Sequence, residues 1–239
     1  MNENFQKERL VTNYRFRVIF TLIWFFLGAI ITIFVITFVF LGGNIDAFRQ
    51  QENLTIFIEI VSVGLLQIIF VIVGKDDLKI YGFTTKRIGI SLLMSSILLV
   101  LDLFYNYILS KLERQGGLLS YGTPNNPLSY PAKYFYPILG LLAYGPLEVF
   151  FVIFLLRNME KMLKEDSDKI VTKSVIVTPI IFGLLHIITT QSIENSITIF
   201  VIFLGLELIF KLTDNIIGPM MAWTIMNNYN WYIIQWLFM

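Results

Sequence analysis

Three residues in apolar surroundings could do chemistry in this chain: Glu148, His186 and Asn227. An ionisable or amide side chain deep in hydrocarbon is costly unless it is paired or hydrated. Each has a proline on its N-terminal side in the same stretch: Pro146, Pro179 and Pro219. Proline removes a backbone donor and bends a helix, which is tolerated where side chains or water satisfy the freed carbonyl. Three bent helices carrying an acid, an imidazole and an amide are expected to surround a small wet cavity. At 1.5 Å per residue, Glu148 lies about 13 Å from Arg157, whereas His186 and Asn227 lie about 20 Å from Lys173 and Asp214. A tilt or a protruding helix end that absorbs about 6 Å brings them level. Structural readings stand beside the chemical one. A glutamic acid can bond a neighbouring helix, a lone histidine can pack on a polar partner, and Asn227 opens the interfacial-looking run Asn228-Tyr229-Asn230.

The elements that must hold these residues are membrane helices. Of 239 residues, 56% are hydrophobic and 15% charged, with a mean hydropathy of +0.72. Soluble domains carry about 25% charged residues. A spanning helix needs about 20 mostly apolar residues. Seven stretches qualify, near 16–42, 54–74, 88–110, 134–156, 174–191, 194–211 and 216–237. The expected fold is an all-α, polytopic transmembrane bundle of about seven spans, built as a single integral membrane domain over 1–239. The first stretch is too long for a signal-peptide core and lacks a small-residue cleavage site, so it reads as a retained anchor. Placing the connections alternately puts 14 Lys and Arg on one side and 4 on the other, all 18 accounted for. The positive-inside rule then sets the N-terminus in the cytoplasm, and the cell membrane is the expected location. The longest outer connection, about 112–132, reads as an irregular loop rich in Gly, Pro and Asn.

Composition removes several functions. The chain has no cysteine and one histidine, so thiol nucleophiles, disulfides and three-histidine or HExxH zinc sites are excluded within one chain. A formal charge of +1 without basic runs argues against nucleic acid. No cofactor is expected, and a metal is not favoured, since one His and one well-placed Glu fall short of the three ligands a catalytic zinc takes. Other acids read as structural. Glu207 and Lys211 stand at i,i+4 and are expected to pair, and Glu59 reads as interfacial. Asp102, one turn before Asn106, either bridges helices or joins the cavity.

Three segments together resemble a known family. Gly145-Pro146-Leu147-Glu148 resembles the first motif of the type II CAAX prenyl protease and bacteriocin-processing family (CPBP, or Abi), a Glu-Glu pair followed three residues later by Arg. Phe182-Gly183-Leu184-Leu185-His186 matches its Phe-x-x-x-His motif. The segment Gly218-Pro219 through Trp223 to Asn227 resembles its His-x-x-x-Asn motif. Asp77 to Phe83 looks like the linker before the family's core helices, so the resemblance covers about 75–239. Three positions depart from it: Val149 replaces the second Glu, Ile153 the Arg and Trp223 the His.

The resemblance implies an intramembrane endopeptidase acting on a prenylated protein or peptide. In it, Glu148 would activate water, His186 would orient that water or assist proton transfer, and Asn227 would donate to the oxyanion. Trp223 would keep an N–H donor in place of an imidazole, though never a base. The retained Glu148, His186 and Asn227 favour this enzyme. The changes at 149, 153 and 223 favour an alternative, a catalytically silent relative that regulates a partner membrane protein. A small transporter is the third reading, and the chain shows no internal repeat of the kind transporters carry. Beyond these partners the bilayer itself is expected.

Overall fold

The computed structural model describes residues 12–44, 55–112, 138–190 and 192–228. Its elements are α1 (Tyr14–Phe40), α2 (Ile56–Gly74), a 3-10 turn (Leu78–Tyr81), α3 (Ile88–Leu112), α4 (Ile138–Met162), α5 (Lys173–Thr190), α6 (Ile193–Thr213) and α7 (Ile217–Asn228). The seven apolar stretches each correspond to one helix, and no strand occurs among the described residues. Helices α1, α2, α3, α4 and α6 are long and apolar enough to cross a membrane. Helix α5 is apolar and shorter over Lys173–Ile187. The expected outer loop and the end of the seventh stretch fall outside the described residues.

Helix α4 is the centre of the bundle, with every residue from Val149 to Leu156 buried. It packs against α1, α2, α5 and α7, while α5 and α6 form an antiparallel pair and α7 lies along α3. The outer faces are apolar, with Ile30, Phe34, Leu93 and Val100 more than half exposed. Such faces suit a hydrocarbon solvent, in which polar side chains would be the costly ones.

The segments assigned to the basic side gather at one end. Arg17, buried on α1, makes two hydrogen bonds to the Asp76 carboxylate at 2.5 and 2.9 Å, and the Tyr81 hydroxyl donates to the same carboxylate at 2.6 Å. Lys86 and Arg157 both reach Asp214, at 3.1 and 3.3 Å. The expected linker 77–83 is a tight turn, with Asp77 capping its start by accepting from the Lys79 N–H at 3.0 Å. It ends on Gly82 at φ 84°. A Cβ there would stand 2.6 Å from the Phe210 ring and 2.8 Å from the Ile216 nitrogen, so both conformation and space require glycine.

The expected Glu207–Lys211 pair does not form. Lys211 reaches across to Glu160 on α4 at 2.6 Å and to the Ser167 carbonyl at 2.6 Å, while Glu207 bonds Thr178 on α5 at 2.5 Å. The i,i+4 spacing permits a pair, but here a buried ammonium takes a partner from the helix packed beside it. Asp102 sits half-buried on α3.

Candidate active site

Pro146 begins the construction. The backbone from Ala143 to Leu147 is a π-helical stretch, and Tyr144 leaves helical geometry at φ −89°, ψ 29°. The proline has no N–H and crowds the preceding turn, so the hydrogen-bond ladder slips locally. Within this stretch the Tyr144 carbonyl accepts from Asn227 Nδ2 on α7 at 3.1 Å. Regular helix resumes at Glu148. Gly145 lets α7 approach, since a Cβ there would lie 2.9 Å from Thr224 Cβ and 3.0 Å from its Cα.

Around Glu148 the four residues singled out in the sequence come together. The carboxylate is 3% exposed. Its Oε2 accepts from Trp223 Nε1 at 2.5 Å and from Asn227 Nδ2 at 2.9 Å. Its Oε1 lies 4.0 Å from His186 Nε2. The His186 Nδ1 lies 3.0 Å from the Phe182 carbonyl. A carbonyl can only accept, so Nδ1 carries a proton and donates it, which leaves Nε2 as the ring nitrogen turned toward Glu148. Trp223 is fixed by edge-on contact with Phe203 at 4.8 Å, and Phe182 packs edge-on against His186 at 4.6 Å. Phe182 and Phe203 touch each other at 4.4 Å, so one aromatic chain sets both polar groups.

The common depth follows from helix lengths. Helix α4 runs to Met162, five residues past Arg157, which puts Glu148 about 21 Å from its end. His186 is about 20 Å from the start of α5. The three prolines differ from the expectation of three bends. Pro146 sits in the kink and Pro179 lies inside α5. Pro219 lies in the first turn of α7, where its missing N–H would have had no helical partner, so no ladder bond is lost there.

One acid departs from the expectation. Glu59 on α2 is half-buried and lies against Glu148, so it is part of the cluster and not an interfacial acid. A π-helical stretch from Ile60 to Leu65 follows it, and the Val61 carbonyl accepts from Trp24 Nε1 on α1 at 2.8 Å. Gly64 seats this stretch on Leu147, whose methyl would lie 2.7 Å from an added Cβ. The available signal was a lone acid in an apolar span. Val149 and Ile153 are both 1% exposed and packed as core. Among the described residues, no group of three His, Asp or Glu side chains is placed to hold one metal ion.

Residues 131–229, from before α4 to the end of α7, match the family model described as type II CAAX prenyl endopeptidase Rce1-like. Over those residues the chain is similar to that family. No curated protein and no solved structure matches the chain. The Rce1-like segment contains Glu148, His186, Trp223 and Asn227, while Glu59 and the 77–83 turn lie outside it.

Proposed function

We propose that this Rce1-like membrane protein is an intramembrane endopeptidase in which Glu148 is the general base for water attack on a peptide bond. The observation that carries the reading is the pair of environments on one buried carboxylate. Oε2 is held by two N–H donors, and Oε1 faces His186 Nε2 at 4.0 Å. That gap is too long for a direct hydrogen bond and suits one bridging water. The water gives one proton to Glu148 and its oxygen adds to the scissile carbonyl carbon. The tetrahedral intermediate then expels the amine, which takes up that proton. Such acid–base assistance is worth about 10²–10⁴-fold in rate.

Asn227 already donates to Glu148 and to the Tyr144 carbonyl. Its part in the reaction is to exchange Tyr144 for the developing oxyanion, an interaction worth about 2.7–4 kcal/mol in other enzymes. Trp223 holds the carboxylate in place. No step is routed through a metal. The substrate class, a prenylated protein or peptide, rests on the family description. The end that gathers Arg17, Lys86, Arg157 and Lys211 faces the cytoplasm under the positive-inside rule, and the host is the cell membrane. Glu59 reaches the Rce1-like site from α2, which supports treating 1–239 as one domain.

The second reading is a silent relative that regulates a partner membrane protein. It is favoured by the fact that the N–H donors of Trp223 and Asn227 are already spent inside the protein. Reconstitution in lipid with a quenched prenylated peptide separates the two. The peptidase cleaves it in ¹⁸O water with one label entering the new carboxylate, and Glu148→Ala and His186→Ala abolish cleavage. Cleavage indifferent to both changes removes Glu148 as the base, and no cleavage of any prenylated or peptide substrate leaves the regulator.

A further inference from the structure

Glu148 has a second carboxyl group against it. Glu59 comes from α2, outside the Rce1-like segment, and its carboxyl group lies against that of Glu148 where the start of α2 packs on the kinked start of α4. The approach is built in by the backbone. The π-helical stretch after Glu59 is tied to α1 through Trp24 and seated on Leu147 through Gly64, next to Glu148 in sequence.

Two carboxylates in contact in an apolar setting cannot both be charged, and a hydrogen bond between them requires one proton. The neighbours decide where it resides. Trp223 Nε1–H and Asn227 Nδ2–H can only donate, and both donate to Glu148. Two donors on one carboxylate favour its ionised form, so the proton belongs to Glu59. The other titratable group facing the pair is His186 from α5, with Tyr144 one turn before Glu148 on α4. Beyond Arg17, at the far end, α1 carries no ionisable side chain.

We propose that Glu59 is the proton partner of Glu148: the pair holds one shared proton at rest, carried by Glu59, and Glu59 acts on the reaction through Glu148 as a positioning residue. The proposal builds on the peptidase reading. When water attacks, its proton goes to Glu148 and the pair holds two. When the C–N bond breaks, the pair returns one proton to the leaving amine and is back to one. Glu59 thus keeps Glu148 a single, oriented base without requiring an isolated buried charge beside a second one. The carboxyl group that the sequence lacks at position 149 is supplied from another helix.

The test is infrared difference spectroscopy of the full chain in lipid, paired with cleavage of the quenched prenylated peptide. The wild type shows a protonated carboxyl band that disappears on alkalinisation, and subtracting the Glu59→Gln spectrum isolates it from other buried acids. Glu59→Gln keeps a donor toward Glu148 but cannot titrate. It is expected to lower kcat at least about tenfold with KM nearly unchanged and to remove the alkaline limb of the rate profile. A Glu59→Gln spectrum that superimposes on the wild type overturns the proposal, as does a rate profile that keeps its alkaline limb. If the band is lost in Glu59→Gln while the wild type cleaves nothing, the shared proton stands and the peptidase reading alone falls.

Discussion

Gly145→Ala measures how closely α4 and α7 must meet for the Glu148 cluster to exist. An added Cβ lies 2.9 Å from Thr224 Cβ and 3.0 Å from Thr224 Cα, and nearer still to Oγ1. Carbon atoms at rest sit about 3.5–4.0 Å apart. Rotating the threonine does not help, because the clash includes its backbone and its hydroxyl donates to the Met220 carbonyl at 2.6 Å. The helices must part by roughly 0.5–1 Å, and overpacking of this kind costs about 1–3 kcal/mol. The same pair of helices is bridged by Asn227 at 2.9 Å to Glu148 and 3.1 Å to Tyr144. Separation by that amount takes both bonds to the limit of hydrogen bonding. Misplacement of a catalytic group by about 1 Å can cost 10²-fold in rate. The assay is equilibrium unfolding in mixed micelles together with kcat/KM on the prenylated peptide, for Gly145→Ala, Thr224→Gly and the double variant. Thr224→Gly removes the Cβ and the hydroxyl that the alanine meets, so the double variant is expected to recover stability and rate relative to Gly145→Ala. Gly145→Ala with wild-type stability and rate, or a double variant no better than the sum of its parts, would refute the reasoning.

Two further outcomes concern the polar end. Burial alone would raise the Asp76 carboxyl, but hydrogen bonds from Arg17 and Tyr81 outweigh it and hold the group below the usual aspartate range. A depressed folded value gives stability that is present above the unfolded value of about 3.9 and is lost as pH falls through the folded one. Acid titration of unfolding in micelles should show this loss, and Asp76→Asn should remove it while costing about 3–5 kcal/mol at neutral pH by stranding Arg17. Lys211→Met and Glu207→Gln distinguish the observed partners from the i,i+4 pair. Lys211→Met should cost about 1–3 kcal/mol, because Glu160 keeps Arg157 at 3.0 Å, whereas Glu207→Gln should stay within about 1 kcal/mol. Equal losses on unfolding would restore the expected pair.

Seven helices were legible in the sequence because a bilayer demands long apolar runs, and the alternation of basic loops checks their number. Glu148, His186, Trp223 and Asn227 were legible because polar groups are conspicuous in such runs and stand at family spacing. Glu59 was not. Counting from the nearest loop put it at the interface, and only the packing of α2 on the kinked start of α4 brings it to Glu148. The kink itself was signalled by Pro146, but the same signal misleads at Pro219, where position in the first turn removes its effect. Lys211 shows the same limit, since spacing along one helix says nothing of Glu160 on another.

The measurement that bears most directly on Glu148 as the base of a membrane peptidase is kcat/KM for wild type and Glu148→Gln on one prenylated peptide in the same liposomes. Glutamine keeps the size of the side chain and its contacts to Trp223 and Asn227 in part, but cannot take a proton from water. A loss of about 10²–10⁴-fold with the fold intact is predicted, and equal rates for the two proteins would contradict it.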